Sequence, residues 1–375
     1  MTKRLLCIIL VAMVALTVGT APGQTTTISD ATRAASGELT SDQAAEVEAF
    51  ITFCTERMTN PASDLNVIKS CRVAMVSAYG GNLGEGFMRH FAQATAQVFV
   101  PATLKAEQLP VVQVNGAMVV AEIARPELAP LLERMFTHPN AAVRYYAVKG
   151  FDRIVPAVVA QGSDASETTF KALEAFARQS TDPPMIRVLI QALDLSEIDP
   201  DRVSPAVLNV ARNRAIEIIQ EVLRTHLQAI RDGSAGMADA AGFGVEALAA
   251  MGKELTEEQR KPLLGMIANV AANAGEAFKE LSIIDQDGTE RLEQAPGAIM
   301  MLMVYCERAV GTLTGSREGA VSRQLPPKDV GDVRQALLAM NNLVGYTGGD
   351  GDLQKLGVPR PTLLPRSPET VTAGR

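Results

Sequence analysis

Apolar residues recur at spacings of three and four along most of this chain, the period of helices that bury one face. In SPAVLNVARNRAIEIIQEVLRTHLQAI the positions Leu208, Ala211, Ala215, Ile219, Val222, Leu223, Leu227 and Ile230 fall on one side of a single helix of about seven turns. Helix starts punctuate the pattern. Thr40 with Gln43, Asp164 with Glu167 and Thr256 with Gln259 have capping-box spacing, in which the first side chain accepts from the third helical N–H and the second reaches back. Ser204 before Pro205 is an N-cap followed by proline at the first helical position. No segment alternates as a half-buried strand does. LPVVQVNGAMVV, residues 109–120, comes nearest and reads equally as helix or strand. The class predicted is all-α.

The two ends break the pattern. Lys3 and Arg4 precede an uncharged apolar run from Leu5 to Val18, followed by small residues, which is the layout of a secretory signal peptide over residues 1–23. The run is shorter than the ~20 residues that span a bilayer as a helix, so no stable membrane span is expected after cleavage. The expected location is therefore periplasmic or extracellular. Residues 24–38, rich in Thr, Ser and Ala, read as a flexible lead-in, and residues 347–375, dense in Gly and Pro, as a disordered tail. Between them the pattern divides at about residue 200, into a repeat-bearing part, 39–200, and a part with longer helices, 201–346.

Composition supports packed helices: there is no Trp, aromatics are 4%, and small and aliphatic residues dominate. Net charge is −7, and residues 1–23 carry two basic and no acidic side chains, so the rest of the chain is more acidic still. Such a surface does not attract nucleic acid over its whole area. Of the four cysteines, Cys7 would leave with the signal peptide. Cys54 and Cys71 sit in two helical patterns with TNPAS between them, so a disulfide closing that hairpin and a pair of buried thiols are both open readings. Cys306 reads as a buried thiol.

A repeat lies in HPNAAVRYYAVKGF, residues 138–151, where an arginine interrupts an apolar helix. Val143, Arg144, Ala147 and Gly150 are echoed 43 residues later by Ile186, Arg187, Ile190 and Leu193, each time after a proline-bearing turn and a preceding helix. Val114, Met118 and Ala121 form a weaker upstream echo with Asn115 in place of the arginine. On Pro139, Asn140, Val143, Arg144, Ala147 and Gly150, then Asp182, Pro183, Ile186, Arg187 and Ile190, the chain resembles the HEAT-repeat family over roughly residues 109–195. That resemblance implies an α-solenoid of stacked helical pairs, in which Arg144 and Arg187 reach along the stack to acidic side chains or carbonyls of a neighbouring unit and are structural.

Candidate chemistry is thin. His90, His138 and His226 have no metal-pair spacing, and His226 on the apolar stripe reads as a core or edge residue. Asp194, Glu197, Asp199 and Asp201, and separately Asp285, Asp287 and Glu290, offer oxygen ligands but no EF-hand register, and read as solvated loops. The glycine-rich YGGNLGEGFMRHF lacks the lysine of a phosphate cradle, and Met300, Met301 and Met303 scatter round a buried helix. No cofactor or metal is expected. The expected function is a non-enzymatic scaffold or adaptor that holds a protein partner. The alternatives are an all-α hydrolase or lyase using Asp194 and Glu197 as paired carboxylates, and a self-associating envelope component.

Overall fold

The structure, a computed structural model, describes residues 27–368 except 200, 287–288, 294–295 and 317–318. The expected signal peptide, residues 1–23, and the last residues of the expected tail lie outside the described residues. The fold is all-α apart from one short hairpin. No helix among the described residues is long and apolar enough to cross a membrane. The chain forms two compact units, divided between Ile123 and Ala124.

In the first unit, α1 (Ser41–Thr59) and α2 (Leu65–Ala78) form a hairpin, with α3 (Glu85–Ala94) against α1 and α4 (Pro110–Ile123) against α2. Local chemistry starts these helices: Thr40 and Gln43 make the full capping box, and Asp64 accepts from the N–H groups of Asn66 and Val67. α4 resolves the segment that read as helix or strand. Phe50, Tyr79 and Phe87 gather round Phe91, with ring centroids 5.5–6.4 Å away.

The lead-in is not flexible over its described part. A short helix, Asp30–Arg33, is followed by carbonyls that receive the start of α3: Arg33 O accepts from Gly84 N at 2.8 Å, Ser36 O from Gly86 N at 3.2 Å and Ala35 O from Phe87 N at 3.0 Å. Ser29 and Thr32 hydrogen-bond the Glu46 carboxylate, and Ile28 is buried. A polar composition predicts flexibility only if the backbone finds no partner; here another segment's main chain supplies it.

The second unit holds two rows of helices. One row is α5 (Ala141–Gln161), α7 (Pro183–Leu193), α9 (Ala235–Gly252) and α11 (Gly297–Thr314), each packed on the next. The other is α6 (Ser163–Gln179), α8 (Pro205–Thr225), α10 (Glu257–Ser282) and α12 (Val330–Val344), packed likewise. Small residues set the spacing: a Cβ on Gly242 of α9 would lie 2.7 Å from the Tyr305 ring of α11. The repeat positions Val143, Ala147, Ile186 and Ile190 are all buried. Three expectations are corrected. α6 starts at Ser163 without a side-chain cap, because Gly162 with φ 123° joins it directly to α5, so the Asp164–Glu167 box is not used. The stripe from 208 to 230 is two helices, since α8 ends at His226 and a short helix, Leu227–Arg231, follows. Residues 283–292, read as a loop, form β1 (Ile283–Gln286) paired antiparallel with β2 (Thr289–Leu292).

A further correction concerns the tail. Residues 347–368 are ordered: Leu353 and Val358 are buried, and residues 359–367 run extended along α10.

His226 is buried, and burial pushes its pKa below the ordinary value, opposed in part by the Ser180 backbone. A depressed histidine pKa leaves stability intact above the unfolded value of about 6.5, and stability falls as pH drops through the folded value. The second unit should therefore lose melting temperature between about pH 7 and pH 5 more steeply than a His226→Gln variant, read by calorimetry. Parallel curves would remove His226 from the account.

Candidate functional site

The two repeat arginines have different roles. Arg144 turns back on its own turn, where its Nη1 donates to the carbonyls of His138 at 2.8 Å and Pro139 at 3.1 Å, while Asn140 N donates to His138 Nδ1. It closes the entry to α5. Arg187 instead leaves its helix: Nη1 lies 3.1 Å from Asp239 Oδ2 on α9, and its guanidinium carbon sits 4.2 Å from the centroid of the Phe243 ring.

A related contact recurs one helix on, with the ring on the arginine's own helix. Arg308 of α11 reaches Glu246 of α9 at 3.3 Å and lies 5.8 Å from the Tyr305 ring centroid. Asp239, Phe243 and Glu246 stand at i, i+4 and i+7, on one face of α9, so arginines from both flanking helices converge on that face. Beside the first rung lies a cavity of about 400 Å³ bounded by Tyr145, Pro184, Arg187, Gln191, Gly236 and Asp239. Tyr145 packs edge-on against Tyr146 at 5.4 Å. Tyr145, Phe243 and Tyr305 are all half-buried, and half-buried aromatics beside arginines are the composition of protein-binding surfaces.

The arginine pairs contribute little to folding. Arg187 and Asp239 have side chains 44% and 50% exposed, and exposed ion pairs are worth about 0–1 kcal/mol.

No protein-family model matches the chain, and no curated protein does. Among solved structures it is similar to two engineered proteins, both structural-genomics targets and both 16% identical. One likeness covers 78% of this chain and 96% of that one with a TM-score of 0.28; the other covers 81% and 87% with a TM-score of 0.24. Scores this low transfer nothing.

The carboxylates singled out for acid–base work are dispersed. Asp194 and Glu197 are exposed, Asp194 Oδ1 accepts from Ser196 N, and neither lines the 400 Å³ cavity. Asp199 accepts from Asp201 N and pairs with Arg202. Among the described residues no three His, Cys, Asp or Glu side chains gather as metal ligands; Asp287 lies outside them, as does the Asp285 side chain.

The structure brings Cys54 and Cys71 together. Both are buried free thiols on the facing helices of the first hairpin, and Cys306 is a separate buried thiol. The two neighbouring thiols act on each other: Cys71 and burial push the Cys54 pKa up, whereas Cys54 draws the Cys71 pKa down against its burial, and Arg57 favours the thiolate of both. Cys71 is the better nucleophile for disulfide exchange. Refolding of a chain that begins at Gln24 with oxidised glutathione should give a protein two hydrogens lighter, in which only Cys306 takes alkylating reagent after denaturation. Modification at all three positions would show that the pair stays reduced.

Proposed function

We propose that the chain is an exported, non-enzymatic scaffold whose second unit is a HEAT-like α-solenoid holding another protein on the α5–α7–α9–α11 face. The two rows of successively packed helices support the solenoid reading. The observation that carries the binding role is the rung of Arg187 on α7 with Asp239 and Phe243 on α9, beside the 400 Å³ cavity that Tyr145 of α5 also lines, with the Arg308–Glu246 pair one helix on. Charged and aromatic groups held this way offer a partner chain pre-positioned cationic and flat apolar contacts at low entropic penalty.

The test places a photo-reactive amino acid at Gln191, cross-links cells of the source and compares wild type with Arg187→Ala/Phe243→Ala. A discrete envelope partner should be captured, and the double variant should reduce capture at least roughly tenfold while shifting stability by no more than about 1 kcal/mol. Arg144→Ala serves as the contrast, lowering stability and sparing capture. Capture that survives the double variant would sink the face as the binding site. Cross-links only between copies of the chain would replace the adaptor by a self-associating component.

A further inference from the structure

Residues 359–367 lie in a channel built to hold an extended main chain. Asn269 and Asn273, four residues apart on α10, share a helix face. Asn269 Oδ1 accepts from Thr362 N at 2.7 Å, and Asn273 donates to Thr362 O at 2.8 Å and accepts from Leu364 N at 3.0 Å. Arg231 Nε then donates to Leu364 O at 2.9 Å, and Gln228 Nε2 to Pro365 O at 2.9 Å. Five consecutive hydrogen bonds therefore read backbone and ignore side chains, the logic by which proteins bind extended peptides. Asn273 is fully buried beneath the segment, where its amide nitrogen is shared between Asn269 O of its own helix at 2.8 Å and Thr362 O, and its Oδ1 is satisfied by the segment alone.

Side-chain selection is confined to one end. Asp232 accepts from Ser367 N at 2.8 Å and Ser367 Oγ at 2.6 Å, and Glu280 lies 3.6 Å from Arg366. At the other end the resident segment leaves space. A cavity of about 570 Å³ remains between Pro359, Arg360 and Thr362 on one wall and Gln220, Lys261 and Asn269 on the other. Apolar burial anchors the segment only in part: Leu363 is 40% exposed, Pro361 and Leu364 are half-buried, and the buried Leu353 and Val358 both precede the channel. A segment held by hydrogen bonds at the surface opens at far lower free energy than the core.

We propose that this channel is a binding site for an extended, proline-bearing segment of another protein, which residues 359–367 occupy in cis until displaced. The favoured ligand carries a basic residue followed by a hydroxyl residue, to meet Glu280 and Asp232, and side chains larger than Pro359 and Thr362 at the open end. The site lies on the α8–α10 row, apart from the face proposed above, and stands whether or not that face binds a partner.

The test uses the full chain and a fluorescent peptide of residues 357–368, GVPRPTLLPRSP, titrated by anisotropy. Two independent substitutions loosen the resident segment without touching the channel. Thr362→Pro removes the N–H given to Asn269, and Ser367→Asp sets a carboxylate against Asp232. Each should bind the peptide at least roughly tenfold more tightly than wild type, because a ligand competing with a mostly closed site loses apparent affinity by the open fraction. A peptide N-methylated at the residues matching Thr362 and Leu364 should lose binding, and the amides of those residues in the wild-type chain should exchange faster than those of α10. Three results overturn the proposal: no saturable binding to either loosened chain at unchanged helicity, exchange at Thr362 and Leu364 as slow as in α10, or sedimentation showing loosened chains paired by exchange of their own segments.

Discussion

Arg231→Ala should destabilise the second unit by about 3 kcal/mol, roughly 6–12 °C in melting temperature for a unit of this size, and free the extended segment. The Arg231 side chain is 8% exposed and meets Glu280 through two parallel bonds, at 2.6 and 3.0 Å, while its Nε holds Leu364 O. That bidentate contact is what holds the Glu280 carboxyl below its usual pKa, with burial opposing it and Arg366 assisting. Removing the guanidinium strands a carboxylate in a site that excludes much of the water, the situation in which breaking a pair costs most. Because Glu280 is still one-third exposed and keeps Arg366 nearby, the loss falls at the low end of that range. Arg231→Met with Glu280→Leu should recover most of the stability yet leave the segment free, since neither partner of Leu364 O or Arg366 returns. Calorimetry and exchange at Leu364 read the two effects separately. A shift below about 1 kcal/mol in the single variant would show that the pair is solvated like a surface pair.

Gly86→Ala should detach residues 27–37 from the first unit. A Cβ at Gly86 would lie 1.5 Å from the Gly37 carbonyl oxygen and 2.6 Å from its carbon, both main-chain atoms that no rotamer change can move. Backbone must shift, and the three hydrogen bonds from Gly84, Gly86 and Phe87 to Arg33, Ser36 and Ala35 go with it. The expected loss is about 3 kcal/mol, combining overpacking with lost bonds. Rapid tryptic cleavage at Arg33 and deprotected amides at Gly84 and Phe87 would report it. Gly80→Ala is the matched control, because its Cβ would meet the nearest atom at an ordinary 3.5 Å. Equal behaviour of the two variants would refute the close approach.

Features decided within one turn of chain were legible in the sequence. The Thr40 and Thr256 boxes and the Ser204 cap form as their spacing predicts. The Asp164 box fails because Gly162 alone separates α5 from α6, a matter of backbone conformation that spacing does not encode. The order of residues 347–368 was invisible for a different reason. Their partners stand about 90 to 135 positions earlier in the chain, and an extended segment with no apolar face carries no sign of its own that a groove awaits it. The sign was on the other side. Two asparagines four apart in the apolar stretch MIANVAANAGEAF are anomalous for a buried helix and mark a backbone-binding face. Likewise the Asp287–Gly288 dipeptide between the four-residue strands Ile283–Gln286 and Thr289–Leu292 is a hairpin signal in the sequence. Arg144 and Arg187 occupy equivalent positions in the repeat, yet only the helix packed beside Arg187 offers an acid and an aromatic ring within reach.

The order of synthesis gives the channel a history. Every element that lines it, from Gln220 to Glu280, leaves the ribosome before residues 359–367 exist, at about 5–20 residues per second. Asn269, Asn273 and Arg231 are therefore made roughly several seconds before the segment that covers them, and another extended segment present in that interval competes with residues 359–367.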